Sequence, residues 1–163
     1  MQRNYPKVVI SKEGEEWLNK GQMWMYRNNA VNLDETIENG SVVDIVTTQG
    51  DYMGTGFVSM DSHITVRILS KNLNDVFDRA FFKQRIQFAY AFRKTLEAEN
   101  LTNCRLIFGE ADQLPGLTVD RYNDILVAQI SSFGMDKIKD MLYEVLLEVL
   151  NEDGQDVKGI YER

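Results

Sequence analysis

The chain has 163 residues, of which 44% are hydrophobic and 26% are charged. This is an ordinary globular composition that can build one sizeable core or two small ones. No run approaches the roughly 20 apolar residues of a membrane-spanning helix, and the polar start lacks a signal-peptide pattern. We therefore expect a cytoplasmic protein with no membrane partner. The 25 acidic and 18 basic residues give a net charge of −7, which argues against a protein that grips phosphates over its whole surface.

Cysteine and histidine are almost absent, since Cys104 and His63 are the only residues of their types. An intrachain disulfide is excluded, and a Cys/His zinc site has too few ligands. A lone cysteine at the start of an apolar strand is typical of a core position. We expect no metal site and no catalytic residue in this chain.

The first half alternates short apolar runs with turn residues. A strand is predicted over 7–10, and Ser11 is a good N-cap for a short helix that ends near Lys20-Gly21. A second strand is predicted over 21–27, in which Trp24 and Tyr26 share one face.

Three more strands are predicted over 42–47, 52–58 and 64–69. Gly54 and Gly56 alternate inside one of them, which indicates a bulge or a tight bend. A phosphate-binding loop would need a helix to follow, and none is predicted there.

The pattern changes after the polar segment 71–76, so we place a domain boundary that divides the chain into 1–73 and 74–163. From Asp78 the period is helical, and the predicted core stripe comprises Phe81, Phe82, Ile86, Phe88, Ala89, Phe92 and Leu96. Arg85 lies inside this stripe. A buried guanidinium needs a partner, so we predict that it pairs with one carboxylate among Glu110, Asp112 and Asp120.

The segment 109–122 contains those three carboxylates and a Pro115-Gly116 turn. Proline followed by glycine is typical of a type II turn, after which a strand begins at Leu117. Asn123-Asp124 then predicts a hairpin to a strand over 125–130. The acids have two interpretations: pairing with arginine and backbone amides, which we take as the default, or a Mg²⁺ or general acid-base site.

After the hairpin, a helix is predicted to begin near Gly134. Its expected core stripe is Ile138, Met141, Leu142, Val145 and Val149, with Tyr143, Leu147 and Leu150 outside it. A last strand is predicted over 157–161. A long helix followed by three strands, a helix and a strand predicts an α+β sandwich.

The pattern Glu110-x-Asp112-x-Leu114-Pro115-Gly116-Leu117-x-Val119-Asp120-x-Tyr122 resembles the central-domain signature of the bacterial S-adenosylmethionine-dependent 23S rRNA 5-methylcytosine methyltransferases. Gln113 and Asn123 stand where that family more often has glycine. The resemblance implies a small PUA-like RNA-binding β-barrel followed by an α+β sandwich domain. It also implies a Rossmann-like catalytic domain that is absent from this chain, because Ile160-Tyr161-Glu162-Arg163 leads toward that domain in the family. We expect an N-terminal fragment.

In PUA domains the first helix, the loop after it and the next strand commonly contact RNA. The resemblance therefore implies RNA-binding roles for Lys12, Lys20, Gly21, Gln22, Trp24, Tyr26, Arg27 and Arg67. Packing in a barrel core is the alternative for Trp24 and Tyr26, and simple solvation is the alternative for each basic side chain.

The resemblance further implies ribosomal RNA as a partner, the missing methyltransferase domain as another, and a homodimer, since the family is often dimeric. S-adenosylmethionine is the expected cofactor of the full-length protein, and we expect none in this chain. The fragment alone should not methylate. A stand-alone RNA- or protein-binding module is the alternative, and the acidic composition would favour a protein partner.

Overall fold

The computed structural model describes residues 3–97 and 99–163. The chain forms two compact units, one that ends at Asp75 and one that comprises Val76–Arg163. In the described part of the chain, none of the helices combines the length and the apolar character needed to cross a membrane.

The first unit contains one helix and a six-stranded mixed sheet in the order β2-β6-β5-β4-β1-β3. Its elements are β1 (Lys7–Ile10), α1 (Lys12–Asn19), β2 (Trp24–Tyr26), β3 (Ala30–Asn32), β4 (Val42–Val46), β5 (Tyr52–Val58) and β6 (Ile64–Ser70). The predicted strand over 21–27 is shorter than expected, because Gly21 turns the chain with a φ of +93° and Arg27–Asn29 form a 3₁₀ turn. We did not predict β3, because its three residues show no alternation of apolar and polar side chains. Its Val31 is 58% exposed.

The core of the first unit lies between α1 and the sheet. Ser11 caps α1 as predicted, because its side chain accepts a hydrogen bond from the Gly14 amide. Leu18 from the helix and Met25 from β2 are fully buried with the apolar side chains of the other strands, which include Val8, Val43, Ile45, Val58, Val66 and Ile68. The helix and the strands of the sheet therefore share one core.

Two glycines let β5 bend, as the sequence predicts. The pairing register shifts between Ile45 and Val46 against β4, and between Thr55 and Gly56 against β6. A Cβ atom at Gly56 would overlap the carbonyl oxygen of Arg67. The β5–β6 bulge therefore depends on the missing side chain, and it fixes where Arg67 lies.

The second unit is a two-layer arrangement of helices on a four-stranded sheet in the order β10-β9-β8-β7. Its elements are α2 (Arg79–Leu96), β7 (Arg105–Phe108), a 3₁₀ turn (Gly109–Asp112), β8 (Leu117–Tyr122), β9 (Ile125–Ile130), α3 (Phe133–Lys137), α4 (Lys139–Glu152) and β10 (Gly159–Glu162). This order of elements matches the prediction, except that the single helix expected after the hairpin is divided at Ile138. β10 runs parallel to β9, because the α3–α4 segment crosses over the sheet between them.

The buried stripe of α2 differs from the predicted one. Phe82, Ile86 and Ala89 are buried as expected, and Tyr90 joins them. Phe88, Phe92 and Leu96 were expected in the core, but they are 63%, 53% and 61% exposed. The helix carries apolar residues around more than half of its circumference, so the period of 3.6 alone does not identify which stripe packs against α4 and β7.

In α4 the buried residues are Leu142, Val145, Leu146, Val149 and Leu150. The prediction placed Leu150 outside the core stripe, but it is only 1% exposed. Lys83 of α2 binds Glu148 and Glu152 of α4 at 2.7 and 2.8 Å. The two helices therefore pack through a shared apolar seam that is bordered by ion pairs.

The turn before β8 forms as predicted, since the Leu117 amide donates to the Leu114 carbonyl at 3.0 Å and Gly116 has a φ of +90°. Gln113 and Asn123 also have positive φ values of 58° and 55°. These are the two positions at which the resembled family more often has glycine. Gln113 and Asn123 thus adopt the left-handed backbone geometry that glycine adopts freely, at some cost in conformational energy.

Asp112 and Asp120 in the segment 109–122 each pair with arginine, in agreement with the default interpretation. Arg93 of α2 binds Asp112 at 2.6 Å, with side chains only 11% and 7% exposed. Arg105 donates two hydrogen bonds to Asp120, at 2.8 and 3.1 Å. Asp112 also accepts from the Phe108 amide at 2.6 Å, so it holds the end of β7 against the helix.

Arg93 is therefore a guanidinium that reaches Asp112. Arg85 is half-buried, and its guanidinium carbon lies 5.0 Å from the centre of the Phe81 ring. The pairing that we predict for Arg85 remains a prediction.

Replacing Gly56 by alanine should destabilise the first unit by about 3 kcal/mol, because the new methyl group must push β5 away from β6. The Gly159→Ala variant is the matched control, since its Cβ meets nothing within 4 Å. Urea denaturation followed by circular dichroism measures both effects. A midpoint for Gly56→Ala equal to that of the parent protein would show that the strands can separate freely there.

Asp112→Asn should cost about 3 kcal/mol of unfolding free energy, because it leaves the buried Arg93 guanidinium without a counter-charge. Asp120→Asn breaks a more exposed pair, whose side chains are 46% and 26% exposed, and should cost no more than about 1 kcal/mol. Denaturant midpoints of the two variants give the comparison directly. Equal losses would contradict the assignment of Asp112 as the structural anchor.

Candidate RNA-binding surface

Most of the predicted RNA-binding residues lie along one continuous piece of chain and the strand beside it. Lys20, Gly21 and Gln22 form the exposed loop after α1, and this loop leads directly into β2. β2 pairs with β6 in an antiparallel register that places Trp24 opposite Arg67. The pairing therefore brings Arg67 beside residues that are more than 40 positions away in sequence.

Lys12 stands apart from this group. It begins α1, whereas Lys20 follows the end of the same helix, so about 12 Å of helix axis separates them. The Lys12 ammonium group also binds Glu15 at 3.1 Å. Its charge is therefore partly neutralised, and we regard Lys12 as the weakest of the predicted contacts.

Trp24 and Tyr26 flank the fully buried Met25 and are themselves half-buried. Their ring centres lie 6.5 Å apart with the planes at 90°. Trp17 of α1 meets the Tyr26 ring at 6.3 Å and 62°. Because only Met25 points into the core, the two predicted aromatic residues retain open ring surface, and edge-to-face contacts fix their orientation.

Trp17 was not among the residues predicted from the sequence. It is 39% exposed, and it lies beside the buried helix positions Gly14 and Leu18. A large aromatic residue outside the core-facing stripe of α1 is the signal that would have identified it. Together with Tyr26 it borders a small pocket of about 250 Å³, which Glu13, Asn28 and Asn29 complete.

Arg67 has unused hydrogen-bonding capacity. Its guanidinium carbon lies 6.0 Å from the centre of the Trp24 ring. Among the residues that the structure describes, Nε and Nη1 of Arg67 have no hydrogen-bond partner although both atoms are buried. Buried donors without partners are costly, so a phosphate or base oxygen that reached them beside the Trp24 ring would be bound favourably.

Arg27 is exposed at the end of β2, where its Nη1 donates to the Met60 carbonyl at 3.1 Å. That contact directs the side chain along the surface and leaves its other N–H groups available. Arg67 thus places a positive charge beside the Trp24 ring, and the exposed Lys20 and Arg27 lie before and after β2 in the chain. Positive charge beside aromatic rings is the usual composition of a surface that binds single-stranded nucleic acid.

Arginine side chains and a backbone amide bind Asp112 and Asp120 of the acidic segment. Within residues 3–97 and 99–163, no group of three or more His, Cys, Asp or Glu side chains is placed to hold a metal ion. Hydrogen bonding to Asp120 raises the pKa of Arg105, so the guanidinium stays charged. Burial raises the pKa of the Cys104 thiol, which favours the unreactive protonated form.

A family model described as a PUA-like domain matches residues 8–71. The chain is 34% identical over 142 residues to the ribosomal RNA large subunit methyltransferase I of Aliivibrio fischeri strain MJ11, a match that covers 86% of this chain and 36% of that protein. The protein of the same name from Klebsiella pneumoniae strain ATCC 700721 is 34% identical over 133 residues, covering 81% of this chain and 33% of the relative. The chain thus spans about a third of the length of these relatives.

Solved structures share the fold. A candidate SAM-dependent methyltransferase from Streptococcus mutans superposes with a TM-score of 0.83 at 20% identity, over 97% of this chain and 40% of that one. A candidate methyltransferase solved in complex with SAH gives a TM-score of 0.82 at 19% identity, with the same coverage. The chain therefore contains a PUA-like domain, has rRNA methyltransferases among its relatives, and shares the fold of part of the Streptococcus mutans protein.

Proposed function

We propose that this chain is the RNA-binding and substrate-positioning part of an S-adenosylmethionine-dependent rRNA (cytosine-5) methyltransferase. Ribosomal RNA is the partner, and methyl transfer belongs to a C-terminal domain that is not part of this chain. The cofactor is bound by that domain. The two domains proposed here are the RNA-binding domain 1–73 and the connecting domain 74–163.

The observation that carries the proposal is the Trp24–Arg67 pair on adjacent strands. Arg67 is half-buried as a residue, and its two buried guanidinium nitrogens without a partner among the described residues lie beside a ring that retains open surface. Arg27 and the Lys20-Gly21-Gln22 loop border this pair. The same residues fall within the segment 8–71 that matches the PUA-like model, and the match to the rRNA methyltransferases covers 86% of the chain.

The surface acts by holding RNA without reacting with it. Lys20 and Arg27 are exposed and contribute phosphate contacts, which set affinity and orientation. Gly21 and Gln22 offer backbone amides and a side-chain amide in an exposed loop. Trp24 and Tyr26 provide ring faces for unpaired bases, and Arg67 donates to a base edge or a phosphate next to Trp24.

In the resembled family, an enzyme cysteine adds to C6 of the target cytosine and thereby activates C5 for methylation. Cys104 does not fit that role here, since it is half-buried, its pKa is raised and its Sγ donates to the Leu101 carbonyl at 3.5 Å. The contribution of this chain to the reaction is the placement of the RNA.

The alternative is a stand-alone module that binds RNA or protein without catalysis. The net charge of −7 favours a protein partner in that case. Binding measurements separate an RNA partner from a protein partner, because phosphate contacts make affinity for RNA fall steeply with salt.

The Lys20→Ala, Arg27→Ala double variant should bind 23S rRNA fragments roughly tenfold more weakly at low salt, because two phosphate contacts are lost. The slope of log affinity against log salt should fall by about one for each lost contact. Fluorescence anisotropy with a labelled rRNA hairpin, measured at several salt concentrations, gives both quantities.

The matched control is Lys7→Ala, Arg79→Ala, which removes the same charge from two exposed positions outside the surface. It should leave both the affinity and the salt slope near their parent values. If the two double variants lower affinity equally, binding depends on net charge alone and the proposed surface is wrong. If the parent chain does not bind RNA, the protein-binding alternative replaces the proposal.

A further inference from the structure

The four-stranded sheet of the second unit has one face that its helices do not cover. Leu117 and Val119 of β8, and Leu126 and Ala128 of β9, are fully buried on the helix side. Side chains alternate along a strand, so the residues between them point to the opposite face. The strand burial patterns show the same alternation of buried with more exposed residues.

The open face presents three aromatic rings on three different strands. Phe108 of β7 is 54% exposed, Tyr122 of β8 is 57% exposed and Tyr161 of β10 is 65% exposed. Ile125 of β9 lies opposite Tyr122 and is 40% exposed. Large apolar side chains concentrated on one exposed surface mark an interaction site.

The pairing register sets the spacing of these rings. Tyr161 lies opposite Val127, which lies opposite Asp120, and Phe108 lies opposite Thr118. With strands about 4.8 Å apart and about 3.3 Å per residue, the three rings are separated by roughly 12 to 16 Å. They are too far apart to pack on each other, so each ring offers a separate stacking surface.

The side chains around the rings are of mixed character, since Ile125 and Val127 of β9 lie between Tyr122 and Tyr161. Arg105 and Arg163 are matched by Asp120 and by Glu110, which lines the pocket beside Phe108, whereas the whole chain carries −7. The Arg105 guanidinium carbon lies 5.0 Å from the centre of the Phe108 ring, and Arg163 donates to Gln129 at 2.9 Å. Positive groups are thus held beside the rings on an otherwise acidic protein.

A groove of about 510 Å³ adjoins Tyr122, and its lining includes Asn103, Arg105 and Asp120. An amide, a guanidinium and a carboxylate are the groups that form hydrogen bonds with base edges. A base that stacks on Tyr122 would therefore meet both donors and acceptors in the adjoining groove.

We propose that the open face of this sheet binds single-stranded RNA, with unpaired bases stacked on Tyr122, Tyr161 and Phe108. This inference rests on the proposed function and adds a second RNA contact to the one at Trp24 and Arg67. Rings set well apart on one face suit base stacking, which needs one ring for each base. A protein interface would instead need a continuous apolar centre, whereas Thr118 and Asp120 separate Phe108 from Tyr122 here.

The test uses the whole 163-residue chain and a fluorescein-labelled single-stranded RNA of about 12 nucleotides, long enough to cover a site of this class. Tyr122→Ala and Tyr161→Ala should each weaken binding roughly 5- to 100-fold, because each removes one stacking surface. Tyr122→Phe keeps the ring and should stay within about twofold of the parent. A Tyr122→Trp variant should show additional quenching of tryptophan emission on RNA binding.

Phe88→Ala is the matched control, because Phe88 is equally exposed but lies on α2. It should leave affinity unchanged, and circular dichroism checks that all variants are folded. If Tyr122→Ala and Tyr161→Ala bind the RNA like the parent, while Lys20→Ala, Arg27→Ala weakens binding, this inference is overturned and the proposed function stands. If the tyrosine variants change only the oligomeric state in sedimentation, the face is a protein interface. A parent chain that binds no RNA would overturn both proposals.

Discussion

One-sided burial of the β7–β10 sheet is the constraint on which the second unit depends. A sheet with helices on one face must place its large apolar residues on that face and leave the other to water. Leu117, Val119, Leu126 and Ala128 satisfy the first requirement with complete burial. The second requirement is only partly met, because Phe108, Tyr122 and Tyr161 remain on the open side. Exposed rings cost solubility without adding to the core, so a function at that face explains them better than stability does.

The local signals in the sequence were sufficient for the turns and strands of this unit. Pro115-Gly116 gave the turn and Asn123-Asp124 gave the hairpin, because these residues restrict the backbone by themselves. The Ser11 cap of the first unit marked a helix start for the same reason. Each of these residues restricts the backbone of only a few neighbouring residues.

The helix faces could not be predicted in the same way. Phe81, Phe88, Phe92 and Leu96 form a regular stripe on α2, and Phe82, Ile86 and Ala89 form another beside it. Which stripe is buried depends on where α4 and β7 pack, and those elements are distant in sequence. The acids show the same limit, since the pairing of Asp112 with Arg93 was not predicted from the sequence. The residues of the candidate site on β2 came from a family resemblance, whereas Trp17 needed the fold to be known.

The net negative charge of the chain decides what kind of RNA binding it can support. With seven more acidic than basic residues, long-range attraction to phosphates is weak, and diffuse binding along any duplex is disfavoured. Affinity must then come from short-range contacts that need matched geometry. Ring faces and partly buried guanidinium groups supply such contacts, because stacking and charge-assisted hydrogen bonds are lost when the RNA is misplaced by a few ångströms. An acidic protein that recognises RNA through a few rings and arginines gives up tight non-specific binding, and it gains selectivity for RNA that presents unpaired bases at the right positions.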